Sequence, residues 1–281
     1  NDTTYIADYR QGLRIVNVTD PANLTLTGSL AWTGYSLDVA VVEDTAYVAN
    51  YSMGLRIVDV SDPAAPADLG WIDTLDDVYG VTVVGNEAFI ADGSDGLYVF
   101  NIADPAAPVE MGSFDTPGFA HDVAVAGGYI YIADGANGLV ILGTSPLAEA
   151  ATIDTPGEAW AVALAGNYAY VADKTGGLRI IDVSDPEAPV EVGSYDTPED
   201  AVDVALAGNL AYVAEANSGV RVINVANPAS PSKVSFYDTL GGANGVVVTS
   251  TALYVADVEG GLLIFDLPQT VFYLSLPFLV K

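Results

Sequence analysis

Short apolar runs alternate with clusters of Gly, Asn, Asp and Pro along almost the whole chain, and no stretch sustains a helical period. Each run reads as a strand. In the module from Ala201 to Asp238, Val202 to Ala207 (VDVALA) ends at Gly208-Asn209, a two-residue reversal suited to positive φ, and Leu210 to Glu215 (LAYVAE) is its hairpin partner. Val220 to Val225 (VRVINV) follows Gly219, and Asn227-Pro228 breaks the ladder before Ser232 to Tyr237. These runs are strands A, B, C and D. The B and C runs are apolar at nearly every position, so they need cover on both faces, and neighbouring copies of the module provide it.

The Gly that opens strand C recurs at Gly12, Gly54, Gly96, Gly138, Gly177, Gly219 and Gly261, with offsets of 42, 42, 42, 39, 42 and 42 residues. Such a period is the signature of a repeat architecture. The expectation is an all-β, seven-bladed β-propeller of four-stranded antiparallel blades with a period of about 42 residues. The first two residues align with the A to B turn of the other copies, so the first blade enters at strand B and lacks its innermost strand in this chain. An entry point inside a blade, without an initiator Met, reads as a processed chain or a piece of a longer one. Residues 1–267 form one propeller domain, and residues 268–281 form a C-terminal tail. The tail's apolar run Thr270 to Leu276 is expected to act as a closing strand, either as the missing outer strand of the last blade or beside the first; an untethered tail is the alternative. The run is too short to span a bilayer, and no transmembrane segment is expected.

The stretches Leu55-Arg56-Ile57-Val58-Asp59-Val60-Ser61-Asp62-Pro63 and Leu178-Arg179-Ile180-Ile181-Asp182-Val183-Ser184-Asp185-Pro186 resemble the motif of the LVIVD repeat family. The resemblance covers almost the whole chain. It implies a β-propeller and a secreted or cell-surface protein of bacteria or archaea, and it carries no shared catalytic residues. The fourth copy departs from the motif: Leu139-Val140-Ile141-Leu142-Gly143-Thr144-Ser145-Pro146 has lost three residues at the C to D turn.

Charge narrows the partners. With 37 acidic residues against 8 basic ones the formal charge is −29, so nucleic acid and anionic membranes are poor partners, because binding phosphates needs cationic groups. High-salt adaptation, bound divalent cations and plain solubility all fit this acidity. There is no Cys, so neither disulfides nor thiol chemistry is available, in keeping with an extracellular or cell-surface home without requiring one.

Positions that recur between copies argue for structure. The Asp-Pro or Asn-Pro pairs at Asp20, Asp62, Asp104, Asp185 and Asn227 read as turn caps, and the Asp-Thr pairs at Asp73, Asp115, Asp154, Asp196 and Asp238 as backbone ties before strand A. Arg14, Arg56, Arg179 and Arg221 share one position in strand C and read as members of ion pairs. Strand B ends at Asp8, Asn50, Asp92, Asp134, Asp173, Glu215 and Asp257, and strand A opens at Asp38, Asp122 and Asp203 in alternation with Gly80, Ala161 and Gly245. Hard oxygen donors of this kind suit Ca²⁺, so Asp38, Asp122 and Asp203 are the candidate metal ligands. The competing reading has each acid capping its own turn.

Positions that differ between copies point to function. Trp32, Tyr35, Tyr51, Tyr79, Phe119, His121 and Trp160 fall in the B to C loops, the D to A loops or the first positions of strand A, and are expected to form an aromatic arc on one face. Aromatics of this sort anchor a protein or stack on sugar rings. Plugging a channel mouth is the structural alternative. His121 is the only histidine, which leaves no spare base for a Ser-His-Asp arrangement and no His-rich metal site. The expectation is a non-enzymatic binding or scaffold propeller engaging a protein or cell-surface glycan. A hydrolytic, carbohydrate-active enzyme using paired carboxylates and a structural subunit of a cell-surface assembly stay open as alternatives.

Overall fold

The computed structural model of the chain describes residues 3–74, 76–267 and 270–272. Seven antiparallel sheets follow one another, each a meander whose sequence neighbours are neighbours in space. In the sheet of residues 201–238, strand A is Ala201–Ala207, B is Leu210–Glu215, C is Gly219–Asn224 and D is Ser232–Asp238. The first sheet has three strands, Thr3–Ala7, Leu13–Asn17 and Thr25–Leu30, which correspond to B, C and D. In the last sheet Thr270–Phe272 pairs antiparallel with Gly261–Asp266 as the outer strand. The rest of the expected closing tail, residues 268–269 and 273–281, lies outside the described residues. The three-residue deletion of the fourth copy falls between the C strand Leu139–Thr144 and the D strand Leu147–Ile153, which the cis Ser145–Pro146 peptide joins.

The chain divides into two compact units, Asn1–Asp134 with Gly143–Ala148 and Gly135–Leu142 with Glu149–Lys281. Inside each unit the core lies between consecutive sheets. In the first unit, Tyr47, Leu55 and Ile57 pack against Val81, Ile90 and Phe100 of the following sheet. In the second, Tyr170 and Ile180 meet Val204, Val213 and Ile223. This accounts for the unbroken apolar runs of B and C, where burying each large side chain contributes about 1.5–3 kcal/mol. The B strands Thr45–Ala49 and Glu87–Ala91 are buried from their second residue onward, whereas Thr3–Ala7 of the first sheet is half-buried throughout. Val39 is likewise half-buried where its counterparts Val81 and Val123 are buried, because among the described residues the first sheet has no A strand to cover it.

Backbone requirements explain which residues recur. Gly54 sits at φ 72°, and a Cβ there would stand 2.0 Å from the Ile72 carbonyl oxygen, so only glycine lets the chain entering strand C pass this close to the end of strand D. Gly28 in strand D faces the next sheet, where a Cβ would lie 2.2 Å from the Pro63 carbonyl oxygen. That proline belongs to the Asp-Pro turn, in which the Asp62 carboxylate accepts a hydrogen bond from the Ala64 amide at 3.0 Å. Asp20, Asp104 and Asp185 cap their own turns in the same way.

Candidate functional site

The loops between strands B and C are held by two-way backbone bridges to the D to A loop that follows. Tyr9 donates its amide to the Ser36 carbonyl at 3.0 Å and accepts from the Ser36 amide at 2.8 Å. Tyr51 is bridged to Val78, Gly93 to Ala120, Gly135 to Ala159 and Lys174 to Ala201 in the same manner. This loop position has a left-handed backbone: Gly93 and Gly135 have φ of 52° and 58°, and Tyr9 and Tyr51 are forced to 42° and 47°. A bulky residue pays a conformational penalty there that glycine escapes. Lys174 shares this backbone at φ 44°, so the two tyrosines and the lysine carry large side chains where two sibling copies use glycine.

Their rings join a continuous row in the first unit. Tyr9 stacks on Tyr35 with centroids 4.2 Å apart and planes 13° apart, and Tyr35 meets Tyr51 at 5.8 Å. Tyr51 meets Tyr79 edge-on at 5.4 Å, and Tyr79 meets Phe119 at 5.0 Å and His121 at 5.2 Å. Hydrogen bonding to Tyr79, and then to Asp77, pushes the Tyr51 phenol well above the usual tyrosine range. Tyr9 is 52% exposed, so this end of the row is open to solvent.

Trp32 and Tyr35 line an open cleft of about 450 Å³ with Arg10, Thr33, Gly34 and Ser52. The indole N–H of Trp32 donates to the Asp68 carboxylate at 2.8 Å, which fixes the ring. Asn50 Nδ2 donates to the Thr33 carbonyl at 3.1 Å and shapes the loop that carries the cleft. The Arg10 guanidinium lies over Tyr35 and Tyr9, 5.4 and 6.0 Å from their centroids, and donates to the Tyr35 hydroxyl at 3.3 Å. Trp160 belongs to the second unit, where Lys174 Nζ sits 3.7 Å from its ring centroid and pairs with Glu158 at 2.7 Å.

The acids that end strand B are buried and held within the blades. The Asp92, Asp134 and Asp173 carboxylates accept from the Thr74, Thr116 and Thr155 hydroxyls at 2.6, 2.6 and 2.5 Å, and each also accepts a loop amide. The Asp-Thr pairs thus act through their threonines, while Asp73, Asp115 and Asp154 point to solvent. The strand-C arginines complete the scheme where present: Arg14 lies 2.5 Å from Asp8, Arg179 lies 3.7 Å from Asp173, and Arg221 binds Glu215 through two nitrogens. Arg56, beside Asn50, instead covers the Trp71 ring at 5.6 Å.

Burial lifts the Asp92 carboxyl to about 6, against the pull of Thr74, and the Asp8 carboxyl to about 6 despite Arg14. A folded pKa above the unfolded value means that protonation favours the native state. That stabilising contribution is complete below about pH 4 and is lost as pH rises through about 6. Thermal unfolding of wild type and Asp92→Asn between pH 4.5 and pH 7 is expected to show the wild type losing ground to the variant as pH rises. Parallel profiles would contradict the lifted carboxyl.

Asp38 and Asp122 open their A strands and Asp203 is the third residue of its own, and each carboxylate accepts from the amide of the next residue, at 2.7, 2.8 and 2.7 Å. The second oxygen of Asp38 accepts from Val81 at 2.9 Å and that of Asp203 from Val246 at 2.7 Å, so each acid ties one A strand to the A strand of the following blade. Cation binding would compete with these bonds. No group of three or more His, Cys, Asp or Glu side chains converges among the described residues, and among them no helix is long and apolar enough to cross a membrane.

The LVIVD repeat model matches residues 2–31, 33–74, 77–116, 117–149, 156–197, 198–239 and 240–268. The chain belongs to the LVIVD repeat family. Among solved structures, this LVIVD protein is similar to a functionally unknown protein from Desulfotomaculum acetoxidans DSM 771, with TM-score 0.78 and 16% identity over 97% of this chain and 94% of that one. It is also similar to the computationally designed Ika8 protein, with TM-score 0.73, 7% identity and coverage of 95% and 81%. For Saccharomyces cerevisiae Sqt1 the TM-score is 0.70 at 9% identity, with coverage of 97% and 88%. At these identities the likeness is one of fold. No curated protein matches the chain.

Of the residues singled out in the LVIVD sequence, Tyr35, Tyr51, Tyr79, Phe119 and His121 come together in one row, and Trp32 lines the cleft beside Tyr35. Arg10 and Ser52 were not among them. The available signal was that Arg10 is the one cation at its loop position, where the other copies carry Ser52, Ser94, Ala136, Thr175, Asn217 and Glu259.

Proposed function

We propose that this LVIVD propeller is a secreted or cell-surface binding protein without catalytic activity, which engages a protein or glycan partner through the aromatic row on its B to C and D to A loops. The observation that carries the reading is the backbone strain at Tyr9 and Tyr51. Two rings are held in a left-handed conformation at a position where sibling blades use Gly93 and Gly135, or Lys174 against the Trp160 ring, and strain of this kind is retained where a side chain is needed for more than the fold. Exposed, fixed aromatics bind at low entropic cost, and a few such anchors carry most of the energy of a contact.

Binding of the purified chain to an immobilised panel of cell-surface polysaccharides and secreted proteins tests the reading. Tyr51→Gly and Tyr79→Ala are expected to lower retention at least tenfold on every surface that holds the wild type. Retention unchanged in both variants would overturn the assignment of the row.

A further inference from the structure

The cleft at the Tyr9–Tyr35 end of the row departs from the repeat in three places, and every departure moves the local charge in the same direction. Six of the seven B strands end in an acid, and here the position is Asn50. Five D to A loops carry an Asp-Thr pair, and here the pair is Ala31-Trp32. The B to C loop contributes Arg10, the one cation at its loop position, since Lys174 of the fifth copy stands one position earlier. In a chain with 37 acidic and 8 basic residues, two carboxylates have been removed and one guanidinium added around a single cleft. Asp68, beside the cleft, is engaged by the Trp32 indole.

The walls define what the cation would meet. Trp32 and Tyr35 offer aromatic surface, while Thr33, Ser52 and the Tyr35 hydroxyl offer short polar groups. Gly34, at φ 113°, keeps the floor open, since a Cβ there would press within 2.9 Å of Met53 and 3.1 Å of Asn50. Aromatic faces with hydroxyl donors suit the apolar face and hydroxyl rim of a pyranose ring, and a guanidinium suits a carboxylate. The cleft of about 450 Å³ is open to solvent, which suits one residue of a longer chain better than an enclosed small molecule. The net negative charge of the chain does not forbid an anion here, because at physiological salt charges beyond about 8 Å are screened while Arg10 would be in contact.

We infer that this cleft binds a carboxylated sugar, a uronic-acid residue of an acidic glycan, with Arg10 on the carboxylate and Tyr35 and Trp32 against the ring. The inference rests on the binding role proposed for the aromatic row and names its ligand at one end.

Calorimetric titration of the intact chain with glucuronate- and galacturonate-containing oligosaccharides, against neutral glucose and galactose oligosaccharides of equal length, decides the matter. Uronate oligomers are expected to bind at least tenfold more tightly than neutral ones, and Arg10→Gln, an exposed substitution that leaves the fold intact, is expected to remove that preference. Equal affinity for neutral and acidic sugars, uronate binding indifferent to Arg10→Gln, or no heat with any sugar would each overturn the ligand class. Retention of the wild type on the panel surfaces, lost in Tyr51→Gly and Tyr79→Ala while no uronate preference is found, separates failure of this inference from failure of the aromatic row as a whole.

Discussion

Gly54→Val is expected to destabilise the protein by about 3 kcal/mol or more, because a β-branched residue is strained at positive φ and its Cβ would collide with the Ile72 carbonyl. For a chain of this size that corresponds to a fall in Tm of roughly 6–12 °C. Gly85 supplies the control: it has φ 60°, yet nothing lies within 4 Å of a Cβ built there. Gly85→Asn, a residue that tolerates the left-handed region, is expected to shift the Tm by only a degree or two, on the order of 0.5 kcal/mol. Similar losses at both positions would mean that φ alone, and not the close approach of strand D, fixes glycine before strand C.

Arg221→Leu is the second large effect. Glu215 is fully buried, and its carboxylate is held by Arg221 and by the Ser218 hydroxyl at 2.8 Å. Removing one partner of a buried pair leaves an uncompensated charge, at a cost of about 3–5 kcal/mol, whereas replacing both by apolar residues is often neutral. Urea unfolding should therefore show a large loss in Arg221→Leu and recovery of most of it in Arg221→Leu/Glu215→Leu. Arg56 provides the contrast inside the same chain, since its neighbour at the B-strand end is Asn50 and its guanidinium lies over Trp71. Arg56→Leu is expected to cost about 1 kcal/mol, the scale of an exposed cation–π contact. Equal losses at Arg56 and Arg221 would show that packing of the arginine stem, and not the ion pair, sets the cost.

Strand order and blade number were legible in the sequence because both depend on local signals repeated along the chain: the two-residue A to B turn, the glycine before strand C and the Asp-Pro or Asn-Pro break before strand D. The ties between blades were not. Asp38 reaching Val81 depends on the register of two A strands in different sheets, which no local motif encodes. For the same reason the Asp-Thr pairs were assigned to their aspartates: the pairing of Thr74 with Asp92 joins positions 18 residues apart. The aromatic arc was legible as a list of non-recurring residues. Its continuity, the stacking of Tyr9 on Tyr35 and the place of Arg10 above both rings emerge only when the loops are folded against one another. The repeat itself carries a further signal: Tyr9, Tyr51 and Lys174 align with Gly93 and Gly135, and a large side chain standing where two copies use glycine marks a position with a task outside the fold.

The most direct test of the central claim is the thermal stability of Tyr51→Gly, because the claim is that this ring is kept for binding at the expense of the backbone. Glycine relieves the left-handed strain, worth about 1 kcal/mol, and gives up ring contacts of similar size, so the account predicts a Tm within about 2 °C of the wild type. A fall of about 6 °C or more, on the scale of a core truncation, would place Tyr51 among the residues that hold the blades together and contradict its assignment to a binding surface.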